Sequence, residues 1–473
     1  MTAQTFCKTK IVATIGPASG NKETLKQMIE SGLDVARINA SFADHEEIES
    51  MCKLIRSISP RVSLLLDTKG NKIRVTGFKE PKDLKKGDIV SLIPENQALT
   101  KDNQIQVTYK SLHEDVSRNT AILMDDGNIE FKVNDIIETE IICTVQNDGI
   151  LNPGKTVNIP NEYLNFPLFT EKDKRDIQSG IELGYDFVAL SFVQSAEIVN
   201  ATREMLGDSG INIISKIENQ AGIDNFDEIL EASDGIMVAR GDLGVEIPYQ
   251  EIPIIQKQLI YRCRAVGKPV IVATQMLESM RKNIRPTRAE VSDVANSVID
   301  GSDAIMLSAE TSTGENPIES VKTMNRIALE TENVLTPQIV HGNTSASKDT
   351  DELCKAVFNL TSSLDLKGVL VISQSGKTVN SLSRHRLSIP IFEVSNNTQR
   401  IREDNLLRGV RCYYLKDLSK DRDTTIQKAT EVVFSYGELD FDDKIAIISG
   451  SSIKNKSVNS ILEISTVKDI LGR

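Results

Sequence analysis

Short runs of Val, Ile and Leu recur through the first 330 residues, most of them followed by a stretch whose apolar positions fall at helical spacing. The runs are KIVATIG (10–16), LDVARIN (33–39), VSLLLDT (62–68), YDFVALSF (185–192), NIISKIE (212–218), DGIMVAR (234–240), KPVIVAT (268–274) and DAIMLSAE (303–310). Runs this short and this apolar suit strands buried on both faces of a parallel sheet. Between them, NKETLKQMIESG, KDKRDIQSGIELG, EIVNATREMLGDSG and RAEVSDVANSVIDG read as crossover helices, with closing glycines suited to helix ends. Eight such units predict a closed (β/α)8 barrel of the TIM type; an open doubly wound sheet is the alternative that the count of eight disfavours.

One connection breaks this rhythm. After the third run, residues 70–154 alternate at period two in RVTGF, DIVSLI, IQVTY, AILMDD, IEFKV and IETEIICTV, with Gly, Asn and Asp turns between. That pattern predicts a small β-barrel inserted in the third βα loop, where it would cover the barrel's catalytic end as a lid. The polar stretch HGNTSASKDTD (341–351) reads as a linker, and the αβ alternation beyond it predicts a separate doubly wound domain. The expected division is a catalytic barrel of residues 1–69 and 155–340, a lid of 70–154, and a C-terminal α/β domain of 341–473.

Composition narrows the functions this architecture could serve. With 40% hydrophobic and 26% charged residues over 473 positions, the chain can bury several cores. A net charge of −12 argues against a nucleic-acid partner, which needs a basic footprint, yet leaves room for small phosphorylated ligands on local cationic clusters. No apolar stretch is long enough to span a membrane, so no membrane partner is expected. The start MTAQTFCKTK lacks a leader pattern, and the six cysteines are scattered without CxxC, so a reduced, cytoplasmic protein is expected. None of the four histidines falls at a strand end, which leaves Ser-His-Asp chemistry and His-ligated zinc without support.

In a barrel of this kind, chemistry belongs at the strand C-termini. Those ends carry Arg37, Asn39 and Ser41, then Asp67 and Thr68, then Lys216 and Glu218, then Asp242 and Thr274. Spacing by two puts Arg37, Asn39 and Ser41 on one side of their strand, and likewise Lys216 and Glu218. A lysine inside an apolar strand needs a charged partner, and either a structural ion pair or a catalytic cation meets that need. Glu218 and Asp242 lie one βα unit apart; they could hold Mg²⁺ or Mn²⁺ between them, or serve only as helix caps.

Around these residues the sequence resembles the pyruvate kinase family. The resemblance rests on TKIVATIGPAS (9–19), ARIN (36–39), LDTKG (66–70), SKIEN (215–219), ARGDLG (239–244), VATQMLESM (272–280), PTRAEVSDVANSV (286–298) and MLSAETSTGENP (306–317). It implies phosphoryl transfer from phosphoenolpyruvate to ADP, giving pyruvate and ATP at the end of glycolysis, with Mg²⁺ or Mn²⁺ and usually in a homotetramer. It implies that Lys216 is the catalytic lysine, facing the transferring phosphoryl group and the developing enolate, and that Glu218 and Asp242 hold the divalent metal. Ala239, Arg240, Gly241 and Asp242, through their backbone, and the Thr274 hydroxyl would grip the substrate carboxylate near the point of proton delivery. Arg37, Arg74 and Lys172 would supply positive charge around the phosphates, with Asn39 and Ser41 near the nucleotide. Such a site of cations, metal and backbone dipoles is chemically sufficient for phosphoryl transfer.

The chain departs from the family pattern at two places. Phe42 follows Asn39-Ala40-Ser41 where the family usually has histidine. Lys72 replaces the glutamate that accompanies K⁺ use, and Val75 stands where K⁺-dependent members usually have threonine. The family's monovalent cation sits among positions matching Asn39, Ser41, Asp67 and Thr68. The expectation is that the Lys72 ammonium takes its place and K⁺ is not required; a solvated hinge lysine is the plainer alternative.

In the terminal domain SQSGKT places Ser373, Ser375, Gly376, Lys377 and Thr378 between a strand and a helix. The family binds effectors, often sugar phosphates, at a corresponding loop, and an ordinary strand–turn–helix corner is the alternative. Two other function classes share parts of this pattern: a metal-dependent keto-acid aldolase or lyase, and a catalytically inactive effector-binding regulator. The nucleotide-side motifs and the lid favour the kinase over the first, and intact Lys216, Glu218, Asp242 and Thr274 disfavour the second.

Overall fold

The computed structural model describes residues 6–419, 421–450 and 460–472. The first apolar runs form β1 (Lys10–Ile15), β2 (Val35–Asn39) and β3 (Ser63–Asp67). Nine strands of a separate unit follow: β4 (Ile73–Thr76), β5 (Lys82–Leu84), β6 (Ile89–Pro94), β7 (Gln104–Val107), β8 (Ala121–Met124), β9 (Ile129–Ile137), β10 (Glu140–Val145), β11 (Gly149–Leu151) and β12 (Thr156–Asn158). The first unit then resumes with β13 (Phe187–Leu190), β14 (Asn212–Ile217), β15 (Gly235–Ala239), β16 (Val270–Ala273) and β17 (Ala304–Leu307).

The eight strands of the first unit close in the order β1-β17-β16-β15-β14-β13-β3-β2, every neighbouring pair parallel. Val12, Val35, Leu65, Ile214, Met237 and Ile271 fill the interior. Period two therefore aims Arg37, Asp67 and Lys216, each two residues past one of these, into the upper layer of the same interior. The outward faces, among them Ile11, Ile38, Leu64 and Ile213, pack under the surrounding helices.

Seven strands of the insert close a second barrel in the order β10-β6-β7-β4-β12-β8-β9, around Ile73, Leu92, Ile105, Phe131 and Ile141. Its boundary differs from the expected residue 154. The strand β12 lies beyond that point, where Val157 pairs with Ile73 on one side and Met124 on the other. Three-residue strands such as β5, β11 and β12 are too short to show a period, so only the longer six were legible.

The terminal domain contains β18 (Gly368–Ile372), β19 (Ile391–Ser395), β20 (Val410–Tyr414), β21 (Lys444–Gly450) and β22 (Ser460–Thr466), in the order β20-β19-β18-β21-β22. The last is antiparallel to β21. The expected linker 341–351 is partly helical: the helix Lys348–Thr361 starts within it, capped by Ser347, whose side chain accepts from the Thr350 N–H.

Arginines from this domain reach onto the underside of the (β/α)8 barrel. Arg386 clasps Asp303 with both Nη atoms, at 2.8 and 2.7 Å. Arg402 Nε donates to Asp186 at 2.6 Å, Arg384 Nη1 to the Ala265 carbonyl at 2.9 Å, and Arg408 Nη1 to the Val298 carbonyl at 3.0 Å. Leu406 joins the apolar cluster at the barrel's floor. Among the described residues no helix is long and apolar enough to cross a membrane, and the six cysteines are unpaired.

Candidate active site

Four charged side chains form one network at the upper end of the (β/α)8 barrel. Arg37 Nε donates to Asp67 Oδ2 at 2.6 Å, and its Nη1 to Thr14 Oγ1 at 2.7 Å. Lys216 Nζ donates to the other Asp67 oxygen at 3.1 Å and to Ser191 Oγ at 2.7 Å. Its ammonium also lies 3.0 Å from Glu218 Oε1. Burial pulls the Lys216 pKa down; the charges of Asp67 and Glu218 outweigh burial and hold the ammonium above its ordinary pKa. Burial likewise works against Asp67, where Arg37 and Lys216 win and hold the carboxyl below its usual range. The lysine is therefore held charged by partners on three different strands or strand ends.

Glu218 is fully buried, and burial raises its pKa against the pull of Lys216. Its Oε2 accepts the Phe192 N–H at 2.6 Å, with Phe192 in the left-handed region at φ +56. Its Oε1, although close to Lys216, receives no directed hydrogen bond. A buried, unsatisfied carboxylate oxygen near Asp242 fits a hard divalent cation, and both residues offer the oxygen donors Mg²⁺ or Mn²⁺ takes. No group of three or more His, Cys, Asp or Glu that could hold a metal occurs among the described residues, so further ligands would have to come from substrate or solvent.

Beside this pair the backbone is strained. Thr274 and Gln275, just past β16, adopt φ +71 and +54. Thr274 Oγ1 accepts the Gly241 N–H at 2.7 Å and donates to the Ala273 carbonyl at 2.6 Å. A Cβ at Gly241 would sit 3.2 Å from Thr274 Oγ1, so glycine allows this approach. Arg240 turns its side chain away, with Nη1 on Asp293 at 2.7 Å and Nη2 on the Thr274 carbonyl at 2.7 Å. Its guanidinium thus braces the strained segment, leaving only its backbone for a ligand.

Of the other expected residues, Arg74, Lys172, Asn39 and Ser41 stand apart from this network, and Thr68 joins it only through Ser191. Arg74 Nη1 donates to the Gly154 carbonyl within the lid, at 2.7 Å. Lys172 binds Asp176 and the Ala43 carbonyl. Asn39 Oδ1 accepts the Ser41 N–H at 3.1 Å, while Thr68 Oγ1 donates to the Ala189 carbonyl at 3.2 Å. Phe42 is 84% exposed. The expectation for Lys72 needs correction. Its Nζ donates to Asp242 Oδ1 at 2.6 Å and lies 5.1 Å above the Phe192 ring, with no bond to Asn39, Ser41, Asp67 or Thr68. Position decides this, because Lys72 precedes β4 at the root of the lid, on the Asp242 side.

Ser191 was not among the expected residues, although it links Lys216, Asp67 and, through a 2.7 Å bond, the Thr68 carbonyl. A signal existed: Ser191 lies two places beyond inward-facing Ala189, in the register of the functional layer. In the terminal domain, Gly376 takes φ +71 and donates its N–H to Ser373 Oγ at 2.9 Å, shaping the Ser373–Thr378 turn.

An all-parallel eightfold barrel with a charged upper layer and a β-barrel lid rooted beside it defines a lidded barrel enzyme. Comparison with known proteins makes this particular. Residues 6–321 match the description "Pyruvate kinase, barrel domain", and residues 351–464 "Pyruvate kinase, alpha/beta domain". A protein of Geobacillus stearothermophilus named pyruvate kinase is 43% identical over 98% of this chain and 81% of its own length. Another so named, from Clostridium perfringens, is 39% identical over 97% of this chain and all of its own. The chain belongs to the pyruvate kinase family and is a phosphotransferase.

Proposed function

We propose that this chain transfers the phosphoryl group of phosphoenolpyruvate to ADP, and that the network around Lys216 carries the reaction. The single observation behind the assignment of roles is a buried lysine kept charged by two flanking carboxylates at the mouth of the barrel. An oxygen of the ADP β-phosphate forms the new bond to phosphorus as the bond to the enolate oxygen breaks. Negative charge then grows on the enolate, where Lys216 offers a fixed positive charge in a site of low polarisability. Arg37, fixed by Asp67 and Thr14, supplies further positive charge. Protonation of the enolate carbon completes pyruvate, and Thr274 stands at the end of the site suited to orienting that proton's donor.

Glu218 and Asp242 would hold Mg²⁺ or Mn²⁺. When bound, the metal would draw electron density from the phosphoryl oxygens. At the start of the helix Arg240–Glu246 the backbone N–H groups of Arg240 and Asp242 would orient the substrate carboxylate, that of Gly241 being taken by Thr274 Oγ1, since the first N–H groups of a helix lack intrahelical acceptors. Arg74 and Lys172 would reach the phosphates only with the lid and nucleotide in place. A homotetramer in the cytoplasm, with a phosphorylated effector at Ser373–Thr378, completes the reading.

The test is pyruvate formation from phosphoenolpyruvate, with and without ADP and with and without divalent metal. Product that requires both supports the kinase. Product without ADP would mean that water, and not ADP, accepts the phosphoryl group, and no product under any condition would leave the keto-acid aldolase or lyase and the inactive regulator as the readings.

A further inference from the structure

Beneath the Ser373–Thr378 turn, the charges do not balance if every acid is ionised. Glu393 on β19 is fully buried, and Glu403 and Asp404 of the helix Thr398–Asp404 are buried beside it. A single guanidinium faces the three: Arg400 Nη1 lies 2.9 Å from Glu403 Oε2 and 3.4 Å from Asp404 Oδ1. From β20 the neutral Cys412 thiol donates to Glu393 Oε2 at 3.4 Å. From the barrel, Lys10 lies toward Cys412, while Asp186 and Asp234 add negative charge toward Glu403. Three carboxylate oxygens of the cluster, Glu393 Oε1, Glu403 Oε2 and Asp404 Oδ2, are buried without a directed hydrogen bond; of these Glu403 Oε2 has the Arg400 guanidinium at 2.9 Å, which leaves Glu393 Oε1 and Asp404 Oδ2. The Glu393 and Asp404 carboxyl groups are within hydrogen-bonding reach of each other; as two ionised acceptors they repel, and one proton between them satisfies both.

We propose that Glu393 is a neutral acid donating its Oε1 proton to Asp404 Oδ2, and that this shared proton latches the helix Thr398–Asp404 between the Ser373–Thr378 turn and the barrel floor. The helix makes both connections. On one side, a Cβ at Gly376 would meet Asp404 Oδ2 at 2.9 Å and Arg400 Nη1 at 3.0 Å, so the turn rests directly on Asp404 and Arg400 of this helix. On the other, Arg402 holds Asp186, the Arg402 carbonyl accepts Ser63 Oγ at 2.6 Å, and Asn405 Nδ2 donates to the Asp34 carbonyl at 2.9 Å. Loss of the proton would set two adjacent negative charges in a dry site with one guanidinium already shared. The helix carries both an acid of the pair and bonds to the barrel, so its displacement would move the turn and the floor together.

Energetics agree with this direction. Burial, reinforced by Asp404, holds the Glu393 carboxyl well above the carboxylate range; burial raises Asp404 too, but there Arg400 and the hydrogen bond from Glu393 oppose it, so Asp404 is the ionised member. The fold therefore keeps a proton that the unfolded chain releases, and alkaline pH weakens the latch.

The test uses the full chain, unmodified and as Glu393→Gln, whose amide donates to Asp404 without titrating. Infrared difference spectra at about pH 8 should show the carbonyl stretch of a protonated carboxyl in the unmodified chain and its loss in the variant. Hydrogen exchange, corrected for intrinsic rates, should rise tenfold or more from about pH 7 to about pH 10 at residues 373–378 and 398–406 together. In Glu393→Gln that rise should vanish. Absence of the carboxyl band overturns the shared proton. A band with the same exchange profile in both proteins overturns the latch. If Glu393→Gln does not fold, Asp404→Asn removes the like charge instead and should flatten the same profile.

Discussion

Lys72 Nζ lies 2.6 Å from Asp242 Oδ1, so a lysine at the root of the lid neutralises one of the two carboxylates proposed to hold the divalent cation. Two cations on one carboxylate repel, and each therefore weakens the other's hold. Both side chains are partly exposed, at 27% and 29%, which limits the effect. Lys72→Met should tighten Mn²⁺ binding by about threefold to tenfold in calorimetric titration. Unchanged or weaker affinity would contradict this competition.

Lys216 presents the opposite case, because its partners are buried with it. Lys216→Met should reduce kcat by about 10³-fold or more, through loss of charge stabilisation in the transition state. It should also lower the thermal midpoint, since Asp67 and Glu218 lose a buried counter-charge. A folded variant retaining a tenth of the original kcat would reduce Lys216 to a structural ion pair.

Ser191 fixes where that ammonium sits. Ser191→Ala removes one hydrogen-bond acceptor from Lys216 and leaves Asp67 and Glu218 to hold it alone. A loss of about tenfold in kcat is expected, with KM for phosphoenolpyruvate changed by less than about threefold. Steady-state kinetics on both parameters decides between positioning and substrate binding: an effect confined to KM would refute the positioning role.

Glu403 links acidity to stability. Burial pushes its carboxyl from the ordinary 4.5 up to about 7, more than Arg400 pulls it down. The folded chain thus holds a proton that the unfolded chain has already released, so stability falls as pH rises from about 4.5 to about 7. In Glu403→Gln this part of the slope should disappear. Thermal midpoints of the two proteins, taken at the ends of that window, provide the check; parallel slopes would show that Glu403 does not titrate there.

Lys72 neutralises Asp242 and touches none of the proposed monovalent-cation residues, so its ammonium does not stand in for K⁺ there. A rise in initial rate is therefore expected on adding K⁺ to tetramethylammonium buffer at constant ionic strength, and full activity without K⁺ would refute it.

What could be read beforehand follows from the range of each interaction. The eight barrel strands declared themselves because burial on both faces leaves unbroken apolar runs, and period two then aimed Arg37, Asp67 and Lys216 into one layer. Strands β5, β11 and β12 escaped because three residues carry no period. Ser191 escaped because serine at a strand end is common; its role depends on Lys216, brought within 2.7 Å only by closure of the barrel. The partner of Lys72 was likewise illegible, since Asp242 lies 170 residues away. The terminal domain's acidic pair was hidden for the same reason: Glu393 and Asp404 meet by folding of one helix back over its strand.

The arginine-studded seam between the terminal domain and the (β/α)8 barrel bears on how such a chain can change over evolutionary time. Without the terminal domain, Asp303 would lose both of its Arg386 contacts, and the cluster that contains Leu406 would open to water. An uncompensated buried charge costs about 3–5 kcal/mol, a large share of the 5–15 kcal/mol that holds a typical domain together. The domain is therefore not a detachable module. A lineage that discarded or exchanged it would have to rewrite the underside of its catalytic barrel in the same step.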